Sequence, residues 1–225
     1  MARPAVRRRA AKPRAGRPTV ADARRLEAAI LEQATASFLR NGYAATSIEA
    51  IAKSCSVAKR TIYARWSGKP ALFRASVERL VAQWLALSGE WEAAPTLEDA
   101  LRQAADRIMA VALTPEAIAL YRLLVAESAR FPELPRMMQE AGAHSGVARI
   151  AALLQAAVAR GECPSHDTVF ASEQYMHLLL AGPQRRALGL GPAMGSAEGT
   201  VWRDNTIRLF LGGLNSLRLP SPPKQ

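Results

Sequence analysis

The chain has little of what most enzymes and metal proteins depend on. It contains 2 cysteines and 3 histidines in 225 residues. Cys55 and Cys163 lie 108 positions apart, with no Cys-x-x-Cys or similar ligand spacing, which argues against a zinc motif and a disulfide framework. They read as free thiols of a reducing compartment, either structural or redox-active. His144, His166 and His177 share no metal-ligand spacing, and no Gly-x-Ser-x-Gly elbow, Walker loop or dinucleotide-binding glycine pattern occurs. Catalysis is therefore not expected, and neither is a metal or cofactor. No stretch approaches the roughly 18 to 20 uninterrupted apolar residues of a spanning helix. No membrane partner and a cytoplasmic location are expected.

Acidic residues are scarce at one end only. Residues 1–80 carry 17 basic and 5 acidic side chains, a net of +12, whereas residues 81–225 carry 13 and 14, a net of −1. The entire excess of +11 thus belongs to the first third of the chain. Such segregation points to a polyanion-binding module joined to a neutral one, whereas an even spread would have indicated solubility alone.

Residues 1–21 are expected to form a disordered basic arm. Pro4, Pro13 and Pro18 argue against the amphipathic helix of a transit peptide, and there is no apolar core of a secretory signal. Arg14 and Arg17 lie in the segment Arg14-Ala15-Gly16-Arg17-Pro18, where an arginine flanked by glycine and proline can lie extended in a narrow A·T minor groove. The alternative is a solvated tail that adds only general attraction.

The pattern over 22–80 is helical. Leu26, Ile30, Ala34 and Phe38 form one stripe, and Asn41-Gly42 ends that helix. Thr46-Ser47-Ile48-Glu49 reads as a capping box with Thr46 as the cap. A short helix carrying Ile48, Ile51 and Ala52 inward stops near Ser54-Cys55-Ser56-Val57. A third helix over about 58–66 has Ile62 and Trp66 on its inner face. Two short helices joined by a turn of about four residues form a helix-turn-helix, here over about 46–66. Lys59, Arg60, Thr61, Tyr63 and Arg65 load its second helix with hydrogen-bonding groups. A fourth helix opens at Lys69-Pro70, with Leu72, Phe73, Val77, Leu80, Val81 and Trp84 along its apolar stripe.

The run from Thr46 through Ile51-Ala52, Val57, Lys59, Thr61-Ile62-Tyr63 and Trp66 to Lys69 and Ala71-Leu72-Phe73 resembles the DNA-binding domain of TetR/AcrR-type transcriptional regulators. Four positions depart from that pattern. Ser56 stands where the family has a turn glycine, Ala58 where a serine caps the recognition helix, Arg65 where a histidine precedes the aromatic, and Trp66 where phenylalanine is commoner. The resemblance implies that Thr46, Ser47, Thr61, Tyr63 and Lys69 hold phosphates, which fixes register. Lys59 and Arg60 are the candidates for base edges. Tyr63 is alternatively a core aromatic, and Arg65 a surface ion-pair partner.

Residues 81–218 read as further helices, and residues 219–225 as a tail. Thr96 caps a segment with Leu97, Leu101, Ala104, Ala105, Ile108 and Ala112 on one face. Thr114-Pro115 opens another, with Ile118, Tyr121, Leu124 and Val125 expected inward. Residues 134–160 read as one long helix with Gly142 and Gly146 as weak points. Helices over 167–188 and 197–215 follow, the first expected to kink or end at Gly182-Pro183. No strand alternation appears, so the fold class is all-α: an N-terminal helix-turn-helix domain and a C-terminal helical domain. The runs Arg130-Phe131-Pro132-Glu133-Leu134 and Ala181-Gly182-Pro183-Gln184-Arg185-Arg186 resemble the AefR-like subgroup of C-terminal domains. That resemblance implies a homodimer through helices 167–188 and 197–215.

Trp84, Met109, Tyr121, Met137, Met138, Phe170, Tyr175 and Met176 are candidates to line a cavity for a small apolar or aromatic effector; the alternative for each is plain core. His144 and His177 are either polar contacts within it or satisfied core histidines. The expected function is a ligand-responsive homodimeric repressor that binds a palindromic operator on double-stranded DNA. A sequence-neutral architectural DNA-binding protein is the rival.

Overall fold

The computed structural model describes residues 19–88, 91, 94–140, 145–214 and 216. Among them all regular structure is helical: α1 (Val20–Ala45), α2 (Ile48–Ser54), α3 (Lys59–Tyr63), α4 (Lys69–Ser88), α5 (Leu97–Ala112), α6 (Pro115–Glu127), α7 (Glu133–Glu140), α8 (Ser145–Ala159), α9 (Thr168–Ala187) and α10 (Ser196–Leu214). Arg14, Arg17, Gly142, His144 and the tail at 219–225 lie outside the described residues.

Side-chain oxygens set several of the helix starts. The Thr19 hydroxyl accepts from the Asp22 amide while the Asp22 carboxylate accepts from the Thr19 amide, both at 3.1 Å. Thr96, Thr114 and Asp167 likewise cap α5, α6 and α9. Gly42 breaks α1 with φ +83°, a conformation that glycine adopts without steric cost.

Two hydrophobic cores result, and their boundary is not the one the chain suggests. The first gathers α1 to α4 and also takes Leu120 and Leu123 from α6 and Leu134 and Met137 from α7. Four rings interlock in it. Phe73 stands edge-on to Phe38 at 5.0 Å and to Tyr43 at 5.2 Å, and Tyr43 meets Phe131 at 4.8 Å. The second core joins α5, α8, α9 and α10 around Leu101, Ile150, Leu154, Tyr175 and Ile207, with Ala104, Ala105, Ala157 and Ala171 between them.

Three expectations from the sequence are corrected. The segment 134–160 holds two helices, because α7 packs on α4 and α6 while α8 packs on α5 and α9; one straight rod cannot serve both cores. In α6 the buried face is Ala117, Ile118, Leu120 and Leu123. Tyr121 and Val125 are exposed, since α6 turns the face around Leu120 toward the first core.

The third concerns Pro183, which neither ends nor interrupts α9. Proline supplies no amide to the carbonyl four residues back, that of Leu179. The Trp202 indole N–H of α10 donates to that carbonyl at 3.0 Å. Gly182 makes room for it, since a Cβ there would overlap the Trp202 ring. The break expected at Gly182-Pro183 is instead the seat where α10 locks onto α9.

Candidate nucleic-acid interface and effector cavity

The turn between α2 and α3 is tight. Ser56 sits at φ +54°, and the Val57 amide donates back to the Ala52 carbonyl at 3.0 Å. That left-handed backbone normally disfavours a side chain by about 1–2 kcal/mol. Helix α3 then begins at Ala58 without a side-chain cap, and Ile62, fully buried, pins it to the first core. Its boundaries are shorter than the expected 58–66, because Ala64 and Arg65 already form a turn.

Ser47, rather than Thr46, caps α2: its hydroxyl accepts from the Ala50 amide at 3.1 Å. Thr46 is buried, its hydroxyl lying 2.8 Å from the Gly42 carbonyl and 3.1 Å from that of Ser37. Glu49 does not close a capping box; its carboxylate pairs with Lys59 across the turn. This hydrogen bond holds the Glu49 carboxyl below the usual carboxylate range and the Lys59 ammonium above the usual lysine range. The Lys59 ammonium also lies 5.6 Å from the centroid of the Tyr63 ring.

The exposed face of α3 and its following turn therefore presents Lys59, Arg60, Tyr63 and Arg65, with Thr61 half-buried beside them. Tyr63 is 46% exposed and is not a core aromatic. Arg65 donates to the Thr61 carbonyl at 3.2 Å. The Arg60 guanidinium has no hydrogen-bond or ion-pair partner among the described residues. Lys69 stands apart from this group. Its ammonium donates to the carbonyls of Tyr43, Ala44 and Thr46 at 2.9, 3.1 and 3.1 Å and lies 4.8 Å from the Tyr43 ring. Thr46 and Lys69 thus hold the α1–α2 turn from inside.

A third hold on that turn comes from far along the chain. Glu127, the last residue of α6, accepts from the Ala44 amide at 3.1 Å. A Cβ on Gly42 would come within 2.7 Å of the same carboxylate oxygen, so a side chain there would push Glu127 aside as well as strain the backbone. Nothing in the local sequence around Glu127 announces this contact.

Between the two cores lies a cavity of about 270 Å³. Of the eight candidates, Trp84, Tyr121, Met138 and Met176 line it. The other four do not. Met137 is buried in the first core and Tyr175 in the second, where the Tyr175 hydroxyl donates to the Leu101 carbonyl at 2.8 Å. Burial pushes the Tyr175 phenol well above its usual range. Met109 faces a separate surface cleft with Pro183 and Arg203, and Phe170 is exposed on the outer side of α9. Trp91, Arg107, Arg149 and Gln184 also line the cavity; an arginine read from sequence is by default a surface residue, and this hid two of them.

His166 is buried, with Nδ1 2.7 Å from the Pro164 carbonyl, and His177 is exposed on α9. Neither histidine belongs to the cavity. Cys55 and Cys163 are half-buried free thiols, and burial raises both above the usual thiol range. The outer face of α9 shows Phe170, Gln174, His177, Leu178 and Ala181, and that of α10 Val201, Asn205 and Leu209. No single described helix is long and apolar enough to cross a membrane.

Two family models match the chain. One, described as bacterial regulatory proteins, tetR family, covers residues 30–76. The other, described as AefR-like transcriptional repressor, C-terminal domain, covers residues 99–213. Among solved structures, a TetR-family transcriptional regulator from Mesorhizobium loti is 29% identical, with a TM-score of 0.72 over 85% of this chain and 97% of that one. The flavonoid-responsive regulator FrrA is 27% identical, with a TM-score of 0.72 over 84% and 96% of the two chains. FadR of Bacillus subtilis, solved with stearoyl-CoA, shares the fold at 16% identity and a TM-score of 0.68, covering 83% of this chain and 98% of its own. No curated protein matches the chain by sequence.

Proposed function

The chain belongs to the TetR family and is a DNA-binding transcriptional regulator; from that premise we propose that it is a ligand-responsive homodimeric repressor of a palindromic operator, acting in the cytoplasm. The observation that carries this reading is the double duty of α6. Leu120, Tyr121 and Leu124 of that helix wall the cavity, and its terminal Glu127 grips the backbone of the turn leading into α2. A ligand that displaces α6 therefore acts on the helix-turn-helix through a hydrogen bond as well as through the shared first core.

Two copies of α3 enter successive major grooves about 34–36 Å apart, held by pairing of the outer faces of α9 and α10. Phe170 and Leu178 on one helix and Val201 and Leu209 on the other supply an apolar stripe for that pairing. In this arrangement Ser47, Thr61 and Tyr63 hold phosphates, while Arg60, and Lys59 once released from Glu49, read base edges. Thr46 and Lys69 serve as scaffold, their polar atoms being engaged with backbone. Arg14 and Arg17 extend into the neighbouring minor groove. The sign of control follows the repressor description of the matching C-terminal model, and responsiveness to a small molecule is supported by the flavonoid-responsive relative. The effector must bind the DNA-free state more tightly, or the equilibrium does not move.

Selection from random duplex DNA at physiological salt tests the reading. Enrichment of one inverted repeat is the expected result, with Arg60→Ala relaxing preference at particular bases and Tyr63→Ala weakening all sites alike. Tight binding without an enriched motif would establish sequence-neutral coating instead.

A further inference from the structure

Acid is nearly absent from the stretch that carries the helix-turn-helix. Between Glu32 and Glu78 the chain has seven lysines and arginines but a single acid, Glu49. A carboxylate on a surface that meets phosphates weakens binding by like-charge repulsion, so its place there needs a reason. Glu49 lies in the first turn of α2, and Lys59 opens α3. The fold brings the two together, and the Lys59 ammonium donates to the Glu49 carboxylate in an ion pair. The two side chains remain 47% and 61% exposed, so a duplex can reach both. The Tyr63 ring lies beside the same ammonium, its centroid 5.6 Å away. Arg60, the next residue of α3, has no such partner among the described residues. Of two neighbouring cations on one helix, one is held and the other is not.

The strengths of the competing contacts give this difference a consequence. An exposed ion pair is weak, and one lysine–phosphate contact, which releases about one counterion, is comparably weak at physiological salt. Exchanging the first for the second gains little and leaves the Glu49 carboxylate uncompensated beside the phosphates. A guanine edge instead offers two acceptors, N7 and O6, and exchange onto it is favourable.

We infer that Glu49 is a specificity-determining residue for DNA binding: it withholds Lys59 from the phosphate backbone and yields it to a base edge, so attachment to random DNA is weakened more than attachment to the operator. Glu49 acts through Lys59 and is a positioning residue rather than a DNA contact. The inference rests on the reading of Lys59 given above and deepens it.

Glu49→Gln removes the charge and keeps the size of the side chain. Full-length protein is bound to a random-sequence duplex and to the duplex enriched by selection, with fluorescence anisotropy followed across a salt series. On the random duplex the variant is expected to bind about two- to fivefold tighter per protomer, the worth of one exposed ion pair. Its slope of log affinity against log salt should steepen by about one per protomer. On the enriched duplex the gain is smaller, so the ratio of the two affinities falls. Lys59→Ala abolishes the effect of Glu49→Gln on the random duplex, whereas Arg60→Ala preserves it. Circular dichroism and melting midpoints establish that each variant folds. An unchanged salt slope, an equal gain on both duplexes, or a gain that survives Lys59→Ala overturns the inference; a lowered midpoint with an unchanged slope would assign Glu49 to the first turn of α2 alone. If selection enriches no motif, a Lys59-dependent gain on the random duplex sustains the withholding of Lys59 and removes the operator reading.

Discussion

In the first core Phe38, Tyr43, Phe73 and Phe131 meet edge-on or stacked at 4.8 to 5.9 Å, and side chains arrive from six helices. In the second, alanines let α5, α8 and α9 approach closely around Leu101 and Leu154, and Tyr175 closes the packing against Phe210 at 4.9 Å. Each ring of the first core touches a neighbour contributed by another part of the chain, so a shift of α6 or α7 is felt at α1 and α2. The second core is a platform whose own outer faces remain available for a partner. The cavity lies where the two meet: Val81 and Leu120 on its wall belong to the first core, and Ile108, Met176 and Leu180 pack against the second. Core membership, rather than position along the chain, groups α6 and α7 with the helix-turn-helix and sets α9 and α10 apart from it.

The largest expected effect comes from removing the ring at the centre of the first core. Phe73→Ala should cost about 3–5 kcal/mol of stability in urea unfolding, and operator binding should fall with it. Leu154→Ala in the second core should cost about 2–5 kcal/mol yet leave the affinity of the still-folded dimer close to wild type. Equal losses of operator binding in both variants would erase the distinction between the cores.

Gly182→Ala should cost about 1–3 kcal/mol by overpacking, and combining it with Trp202→Ala should cost less than the sum of the single changes. Additive losses in a double-mutant cycle would show that Trp202 is not seated on Gly182. Glu127→Ala sharpens the comparison from the side of the relay. It should leave the melting midpoint nearly unchanged but alter operator affinity by about 1 kcal/mol, measured by fluorescence anisotropy. The smallest change is a gain: Ser56→Gly should stabilise the protein by about 0.5–1 kcal/mol by relieving the left-handed serine. A loss there would mean that the Ser56 side chain contributes a contact outweighing its backbone cost.

Much of the first module could be read directly from the residues. Gly42 and the inward set Ile51, Ala52 and Ile62 follow from local rules that the fold obeys, whereas Ser56 and Ala58 stood out only as departures from the family pattern; the structure puts Ser56 in the left-handed region and leaves α3 without a side-chain cap. Thr46 and Ser47 show where local rules run out. Either hydroxyl can cap α2, and the choice falls to Ser47 because Ser37 and Gly42 claim Thr46 from across the turn. The α6 face and the cavity were harder, since a helical stripe of Met and aromatic residues looks the same whether it fills a core or walls a space. Tyr175 went to the core through a carbonyl 74 residues away. Trp91, Arg149 and Glu127 gained their roles only from neighbours brought in by the fold.

The seat of Trp202 also constrains how this sequence can drift. A residue with an amide at position 183 would satisfy the Leu179 carbonyl within α9 and leave the Trp202 N–H competing for it. Any side chain at 182 would evict the indole, and loss of the indole would strand the carbonyl that Pro183 cannot serve. Gly182, Pro183 and Trp202 therefore form one interdependent unit: a chain that keeps the proline needs the indole to serve the Leu179 carbonyl and the glycine to admit the indole.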